Sequence, residues 1–271
     1  MTILFTGHKG FLGRELIPEL KLSEEIITYQ GDLTDWHSLK NFIQENRIEK
    51  IIHAAFRGGR RNKIDTLETL TNNVKSTVNL LRLEIPLVLF CSGAIYNRNE
   101  SIDEAREEYS LASYPSDFYG QSKFLNNYLA QGQENSVSLR YFNAFGKSEG
   151  VDRFITFNLI QYIQRKPMII FKDFQMDYFY VQDTVPVLKS WINGANLPKE
   201  MNLVYQEKLF LSEICAFMNT LSDHEVPIHF QEEAQGINYT GNGKILETLQ
   251  LPQLGLKTGI FEMYEFLKSG A

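Results

Sequence analysis

The chain has 271 residues, 43% of them hydrophobic, which is enough for one large domain or two small ones around a buried core. Its net charge of -6 argues against a nucleic-acid partner, because a phosphate-tracking surface is basic; residues 57–63 (RGGRRNK) are a local exception. No run approaches the roughly 18 apolar residues that span a bilayer, and with no leader-like N-terminus and only two thiols, Cys91 and Cys215, we expect a cytoplasmic protein without a membrane partner or disulfides.

Ile3-Leu4-Phe5 reads as a first strand, followed by a glycine-rich turn and the helical pattern Leu16, Ile17, Leu20. Residues 26–29 read as a second strand and 36–44 as a helix. The runs 51–55 and 87–91 are continuously apolar, as expected of strands buried on both faces. Between them Leu67, Leu70, Val74, Val78 and Leu81 recur at helical spacing, and a helix over 119–130 precedes a strand over 137–140. This alternation predicts an α/β fold, with a Rossmann-type doubly wound parallel sheet in residues 1–148. Beyond Gly146 the pattern mixes, with a helix over 154–164, a strand over 168–171 and a helix over 212–221. Residues 149–271 are therefore expected to form a smaller α+β substrate lobe, with 181–193 returning to the first.

The segment Gly7-His8-Lys9-Gly10-Phe11-Leu12-Gly13 joins the first strand to the first helix. Gly7 permits a tight turn, Gly10 lets backbone approach a pyrophosphate, and Gly13 lets the helix pack close to the sheet. The spacing of three and three differs from the commonest dinucleotide fingerprint, and its position after the first strand gives it weight. Three Tyr/Lys pairs stand four apart: Tyr119/Lys123, Tyr162/Lys166 and Tyr264/Lys268. On a helix that spacing puts both groups on one face, where the ammonium can lower the phenol's pKa toward neutrality. With 13 Tyr in the chain and Lys at about 6% of ordinary sequence, about one such pair arises by chance. Position decides: only Tyr119/Lys123 follows a buried strand ending in a hydroxyl-bearing turn, Cys91-Ser92-Gly93-Ala94-Ile95-Tyr96. The other two pairs read as solvated helix faces. The five His residues show no metal spacing, and Pro227 breaks any helical face between His224 and His229, so no metal is expected.

Taken in order, these segments resemble the extended short-chain dehydrogenase/reductases of the NAD-dependent epimerase/dehydratase family. Gly31-Asp32-Leu33-Thr34-Asp35 is similar to the turn whose first Asp contacts adenine, and His53-Ala54-Ala55 to a strand segment that lines the cofactor. Asn72-Asn73-Val74 with Thr77-Val78-Asn79-Leu80-Leu81 matches the subfamily's helix, and 140–146 (RYFNAFG) its Leu-Arg-x-x-Asn-x-x-Gly segment; Asn202-Leu203-Val204 and 243–251 resemble closing elements. The resemblance implies NADP or NAD as cofactor, bound by Gly7, Lys9, Gly10, Phe11, Leu12, Gly13, Asp32, Leu33, Ala54, Ala55, Phe56, Asn73, Tyr119, Lys123 and Phe142. It implies Ser92, Tyr119 and Lys123 as catalytic residues. Tyr119 would exchange the proton at the substrate oxygen, Ser92 would steady that oxygen, and Lys123 would tune Tyr119 and hold the nicotinamide ribose. Arg57, Asn143 and Arg153 are the substrate candidates, and a homodimer through helices near 67–81 and 119–130 is implied.

Within the family, Gly7-His8-Lys9-Gly10 and Ala54-Ala55-Phe56-Arg57-Gly58-Gly59 resemble GDP-fucose synthase and related GDP-6-deoxysugar reductases. The compressed region before Gly31-Asp32 resembles short 4-keto-sugar reductases, including the dTDP-rhamnose-forming kind. Gly93 and Ala94 stand where 4,6-dehydratases carry Asp-Glu, so dehydration is not expected. Met176-Asp177-Tyr178 departs from the usual Arg-Asp/Glu-Phe, whose Arg contacts the substrate diphosphate. Arg57, Arg60, Arg61 and Lys63 read equally as diphosphate ligands or as a solvated loop. The main expectation is an NAD(P)-dependent 4-keto-sugar-nucleotide reductase; the alternatives are a 4-epimerase that retains its NAD and a cofactor-sensing binding protein of the same fold. Epimerisation at carbon is not expected, because Ala94 and Arg153 stand where GDP-fucose synthase has Cys and His. A mild preference for NADPH follows if Lys9 reaches the 2′-phosphate rather than solvent, since no acid stands ready to repel that phosphate.

Overall fold

The computed structural model describes residues 1–59 and 64–270, so Arg60, Arg61 and Lys63 lie outside the described residues. The N-terminal half runs β1 (Thr2–Thr6), α1 (Phe11–Lys21), β2 (Glu25–Thr28), α2 (Trp36–Glu45), β3 (Lys50–His53), α3 (Leu67–Leu81), β4 (Leu87–Ser92), β5 (Ile102–Ala105), α4 (Phe118–Gln131), β6 (Ser136–Tyr141) and β7 (Ala144–Phe145). The remainder comprises α5 (Phe154–Ile163), β8 (Met168–Ile170), β9 (Phe179–Tyr180), α6 (Thr184–Ile192), β10 (Glu200–Leu203), α7 (Leu211–Met218), β11 (Ile228–Phe230), β12 (Tyr239–Gly241), α8 (Lys244–Thr248) and α9 (Gly255–Lys268). Among the described residues no helix is long and apolar enough to cross a membrane.

The main sheet has six parallel strands in the order β10-β6-β4-β3-β1-β2. Strand alternation explains its two cores, because successive side chains point to opposite faces. Ile3, Phe5, Ile52, Val88 and Phe90 face one way and pack with Leu16 and Leu20 of α1 and Val187, Leu188, Trp191 and Ile192 of α6. Leu4, Ile51, Leu87 and Leu89 face the other and pack with Leu39 and Ile43 of α2 and Leu80 of α3. Chain order reverses between β1 and β3, and in sheets of this kind the ligand crevice opens outside the carboxyl ends at that point.

The sixth strand, β10, comes from residues expected in the smaller lobe. It is short and half polar, so no periodicity marks it. A separate core holds Ile155, Leu159 and Tyr162 of α5, Met168, Ile214, Met218 and Tyr264. That corrects the reading of Tyr162/Lys166 and Tyr264/Lys268 as solvated faces. Tyr162 is 0% and Tyr264 4% exposed, because an aromatic ring with one polar tip fills a core whenever the tip finds a partner.

Candidate active site

The glycine turn is built as its spacing predicts. Gly7 has φ +80°, and a Cβ there would meet the Ala54 carbonyl carbon at 2.6 Å. A Cβ on Gly13 would lie 2.5 Å from the Gly7 oxygen, so any side chain would push α1 off the sheet. Gly10 caps α1 with no side-chain hydrogen bond, which leaves the first-turn N–H groups free for an anion. Phe11 and Leu12 pack partly into the sheet core behind the turn, and Lys9 is exposed. A pyrophosphate fits this cradle.

Past β2, the Asp32 carboxylate accepts from the Thr34 N–H at 2.8 Å, and the Leu33 carbonyl accepts from Asn79 at 2.9 Å. That backbone bond, helped by the positive charges of Arg57 and Lys75, holds Asp32 below the usual carboxylate range. At the end of β3, His53 is held between Thr6 (2.7 Å) and Thr77 (3.3 Å), and burial pushes its pKa down to about 3. Ala54 donates to the Thr6 carbonyl at 3.2 Å, so Ala54-Ala55-Phe56 leaves the sheet beside the glycine turn. Asn73 of α3 is 3% exposed and clamps both backbone groups of Arg57 (3.0 and 2.9 Å) while donating to Ser122 at 3.1 Å. Its polar atoms serve the protein, which makes it the joint between the β3 exit, α3 and α4.

Ser92 ends β4 and accepts from the Ala94 N–H at 3.2 Å. Tyr119 stands in the first turn of α4, a helix capped by Asp117 through the Gly120 N–H at 2.8 Å. The Ser92 hydroxyl faces the Tyr119 phenol closely enough to pull its pKa down. Lys123, one turn on, donates to the Phe90 carbonyl at 2.8 Å; its ammonium lies 3.0 Å over the Phe56 ring and 5.7 Å from the Tyr119 ring. The expected lowering of the phenol is not found. Burial pushes Tyr119 up to about 12 against the opposing pull of Ser92, Arg98 and Arg153, and pushes Lys123 down to about 7. Desolvation outweighs the pairing because Lys123 is turned back onto Phe90 and Phe56 rather than onto the phenol. Gly59, at φ +75°, lies against the Tyr119 ring, where a Cβ would come within 2.8 Å.

Of the residues expected to meet a substrate, Arg57 is exposed. Asn143 spends its amide on the Asp177 carbonyl at 3.0 Å. Arg153 caps α5, pairs with Glu149 at 3.3 Å and is close enough to bias Tyr119. The Glu149 side chain is 4% exposed, and burial pushes its carboxyl up to about 7. Phe142 is 5% exposed, stacked on Tyr96 and tilted against Tyr239 beneath the Ser92 turn. Met176 is a buried core residue. Next to it Asp177, which burial pushes up to about 6, holds Lys208 at 2.8 Å, so that ammonium is already paired. Two groups escaped the sequence reading. Arg98, paired with Asp117 at 2.6 Å, faces both Tyr119 and Tyr239, and Tyr239 itself reaches Ser92. Neither lies at a fixed offset from a motif, so only the fold reveals them.

An ADP-L-glycero-D-manno-heptose-6-epimerase of Pseudomonas paraeruginosa is 30% identical over 181 residues, 55% of this chain and 53% of the relative. The aligned part thus spans about half the length of that curated relative. A GDP-D-glycero-L-gluco-heptose synthase of Campylobacter jejuni, solved in the presence of NADPH, superposes with TM-score 0.87 at 15% identity over 99% of this chain and 98% of that one. A GDP-mannoheptose C4 reductase of Campylobacter jejuni with NADP bound gives TM-score 0.83 at 17% identity, covering 98% of each chain. At such identities these two show the shared fold. The model of the NAD dependent epimerase/dehydratase family matches residues 3–202, from β1 into the last strand of the main sheet, and the chain belongs to that family.

Proposed function

We propose that the chain is an NAD(P)-dependent reductase of a 4-keto-sugar nucleotide, with the carbonyl oxygen received between Ser92 and Tyr119. The observation that carries this reading is the convergence of Ser92, Tyr119 and Lys123 at the sheet's carboxyl edge, beside a turn whose next residues are Gly93 and buried Ala94. Proton traffic at that turn is therefore directed at oxygen rather than carbon. The glycine turn, Asp32-Leu33, Ala54-Ala55-Phe56 and Lys123 would hold the dinucleotide, and its nicotinamide supplies hydride when bound. Tyr119, kept protonated by burial, gives its proton to the oxygen; Ser92 donates a hydrogen bond to the charge developing there. Lys123 steadies the ribose and, once charged, draws the Tyr119 pKa down.

The test incubates the protein and NADPH with GDP- and dTDP-linked 4-keto-6-deoxyhexoses in deuterated water. We expect stoichiometric NADPH oxidation, no deuterium at C3 or C5 beyond an enzyme-free control, and a Ser92→Ala barrier higher by about 2–4 kcal/mol. Stereochemical interconversion of UDP-hexoses without net cofactor consumption would replace the reading with a 4-epimerase. Deuterium incorporation at C3 or C5 would make the chain an epimerase-reductase.

A further inference from the structure

We propose that Tyr239 is a positioning residue of this site, holding the Ser92 hydroxyl so that its proton points at the substrate oxygen; the inference rests on the Ser92–Tyr119–Lys123 reading above. Tyr239 arrives from the far end of the chain. β12 pairs with β5 in the register Tyr239↔Ile102, the Tyr239 N–H donates to the Gln175 carbonyl at 2.9 Å, and its own carbonyl accepts from the Asp177 N–H at 3.2 Å. The ring packs on Phe142 at 4.9 Å, which aims the hydroxyl at the turn after β4.

Gly93 shows what that turn accommodates. Its φ is not among the positive ones, so the backbone does not demand glycine. A Cβ there would instead stand 2.7 Å from the Tyr239 hydroxyl and 2.8 Å from the Phe142 ring. The space a side chain would need is filled by the phenol, whose hydroxyl therefore lies over the turn beside Ser92.

A serine hydroxyl has one proton and two acceptor positions. The Ala94 N–H fills one acceptor position of Ser92 at 3.2 Å. An O–H donated by Tyr239 fills the second. The Ser92 proton is then left to point outward, toward the Tyr119 oxygen or a substrate oxygen placed between the two. Burial, with Tyr119 alongside, raises the Tyr239 pKa above that of an ordinary phenol, so it stays a donor. Its influence reaches the reacting oxygen through Ser92.

The test compares Tyr239→Phe, Ser92→Ala and the double variant, using NADPH with the same GDP- and dTDP-linked 4-keto-6-deoxyhexoses. Tyr239→Phe keeps the ring on Phe142, so cofactor affinity and melting temperature should match wild type, while kcat falls about tenfold with KM within about twofold. In the Ser92→Ala background the same change should alter kcat less than about twofold, because the residue it positions is gone. An unchanged kcat in Tyr239→Phe, or an equal loss in both backgrounds, would overturn the inference while Ser92→Ala upheld the catalytic reading. No wild-type turnover with any of these substrates, or a fully active Ser92→Ala, would overturn the catalytic reading and the inference with it.

Discussion

Burial drives both members of the Tyr119–Lys123 pair toward their neutral forms. A neutral phenol is the state a proton donor to a carbonyl oxygen needs, and with its pKa pushed down to about 7 Lys123 still carries part of its charge at neutral pH, over the face of the Phe56 ring. Tyr119→Phe is therefore expected to abolish turnover with cofactor affinity largely intact, since only the transferable proton is removed. Tyr162→Phe is the informative control, because it makes the same chemical change at another Tyr/Lys pair. The Tyr162 oxygen accepts from the Ser222 N–H at 3.0 Å, donates to the His224 carbonyl at 3.0 Å and lies 2.8 Å from the Ser222 hydroxyl. Its loss should cost about 1–3 kcal/mol in urea unfolding and leave kcat within twofold. Normal turnover by Tyr119→Phe would remove it from the site. The sequence could distinguish these pairs by position, but not by burial: tyrosine spaced along an amphipathic helix reads as surface until its partners across the core are known.

Strand β6 shows how an element can be buried and half polar at once. Val137, Leu139 and Tyr141 enter the apolar core, while Ser136, Ser138 and Arg140 alternate with them and are buried too. The two terminal nitrogens of Arg140 are held by Glu200 at 2.5 Å, by Asn202 at 2.8 Å and by Tyr96 at 3.0 Å while its buried Nε has no partner, so β10 is bound to β6 by side chains as well as by its ladder. Glu200→Ala leaves that guanidinium without its counter-charge and is expected to cost roughly 3–5 kcal/mol, because a stranded buried charge is worse than none. Replacing Arg140 and Glu200 together with Met and Leu should recover most of the loss. Equal destabilisation of the single and double variants in denaturant titrations would show that the pair is not what joins the strands. The same contrast explains which elements were legible. The strands β1, β3 and β4 are apolar on both faces and announce themselves. The short polar strands β5, β10 and β12 exist only because distant partners complete them, so their place in the fold, and with it Tyr239, could not be read along the chain.

A protein of net charge -6 repels a dinucleotide at long range, so its preference between NADPH and NADH must come from local charge. The glycine turn was legible because glycine spacing after a strand is a local requirement, whereas the charges around it come from three separate segments. Lys9 is exposed on the turn itself, and neighbouring His8 lies 2.9 Å from Gln30 beyond β2. Tyr29, Gln30 and Gly31 occupy the stretch between β2 and Asp32, so no carboxylate precedes Asp32 there. Asp32 in turn lies in the positive field of Arg57 and Lys75. A ribose 2′-phosphate placed here would meet cations on both sides, while a bare 2′-hydroxyl would find no acidic partner ahead of Asp32. NADPH is thus expected to bind several-fold tighter than NADH at low salt. The advantage should shrink as ionic strength rises, since exposed charges are screened over about 10 Å at 0.1 M. Lys9→Ala should weaken NADPH binding and leave NADH binding unchanged, which fluorescence titrations of both reduced cofactors at several salt concentrations would resolve. Equal or tighter NADH binding across that series would mean the positive field does not reach the ribose, and that Asp32 serves the adenosine on its own.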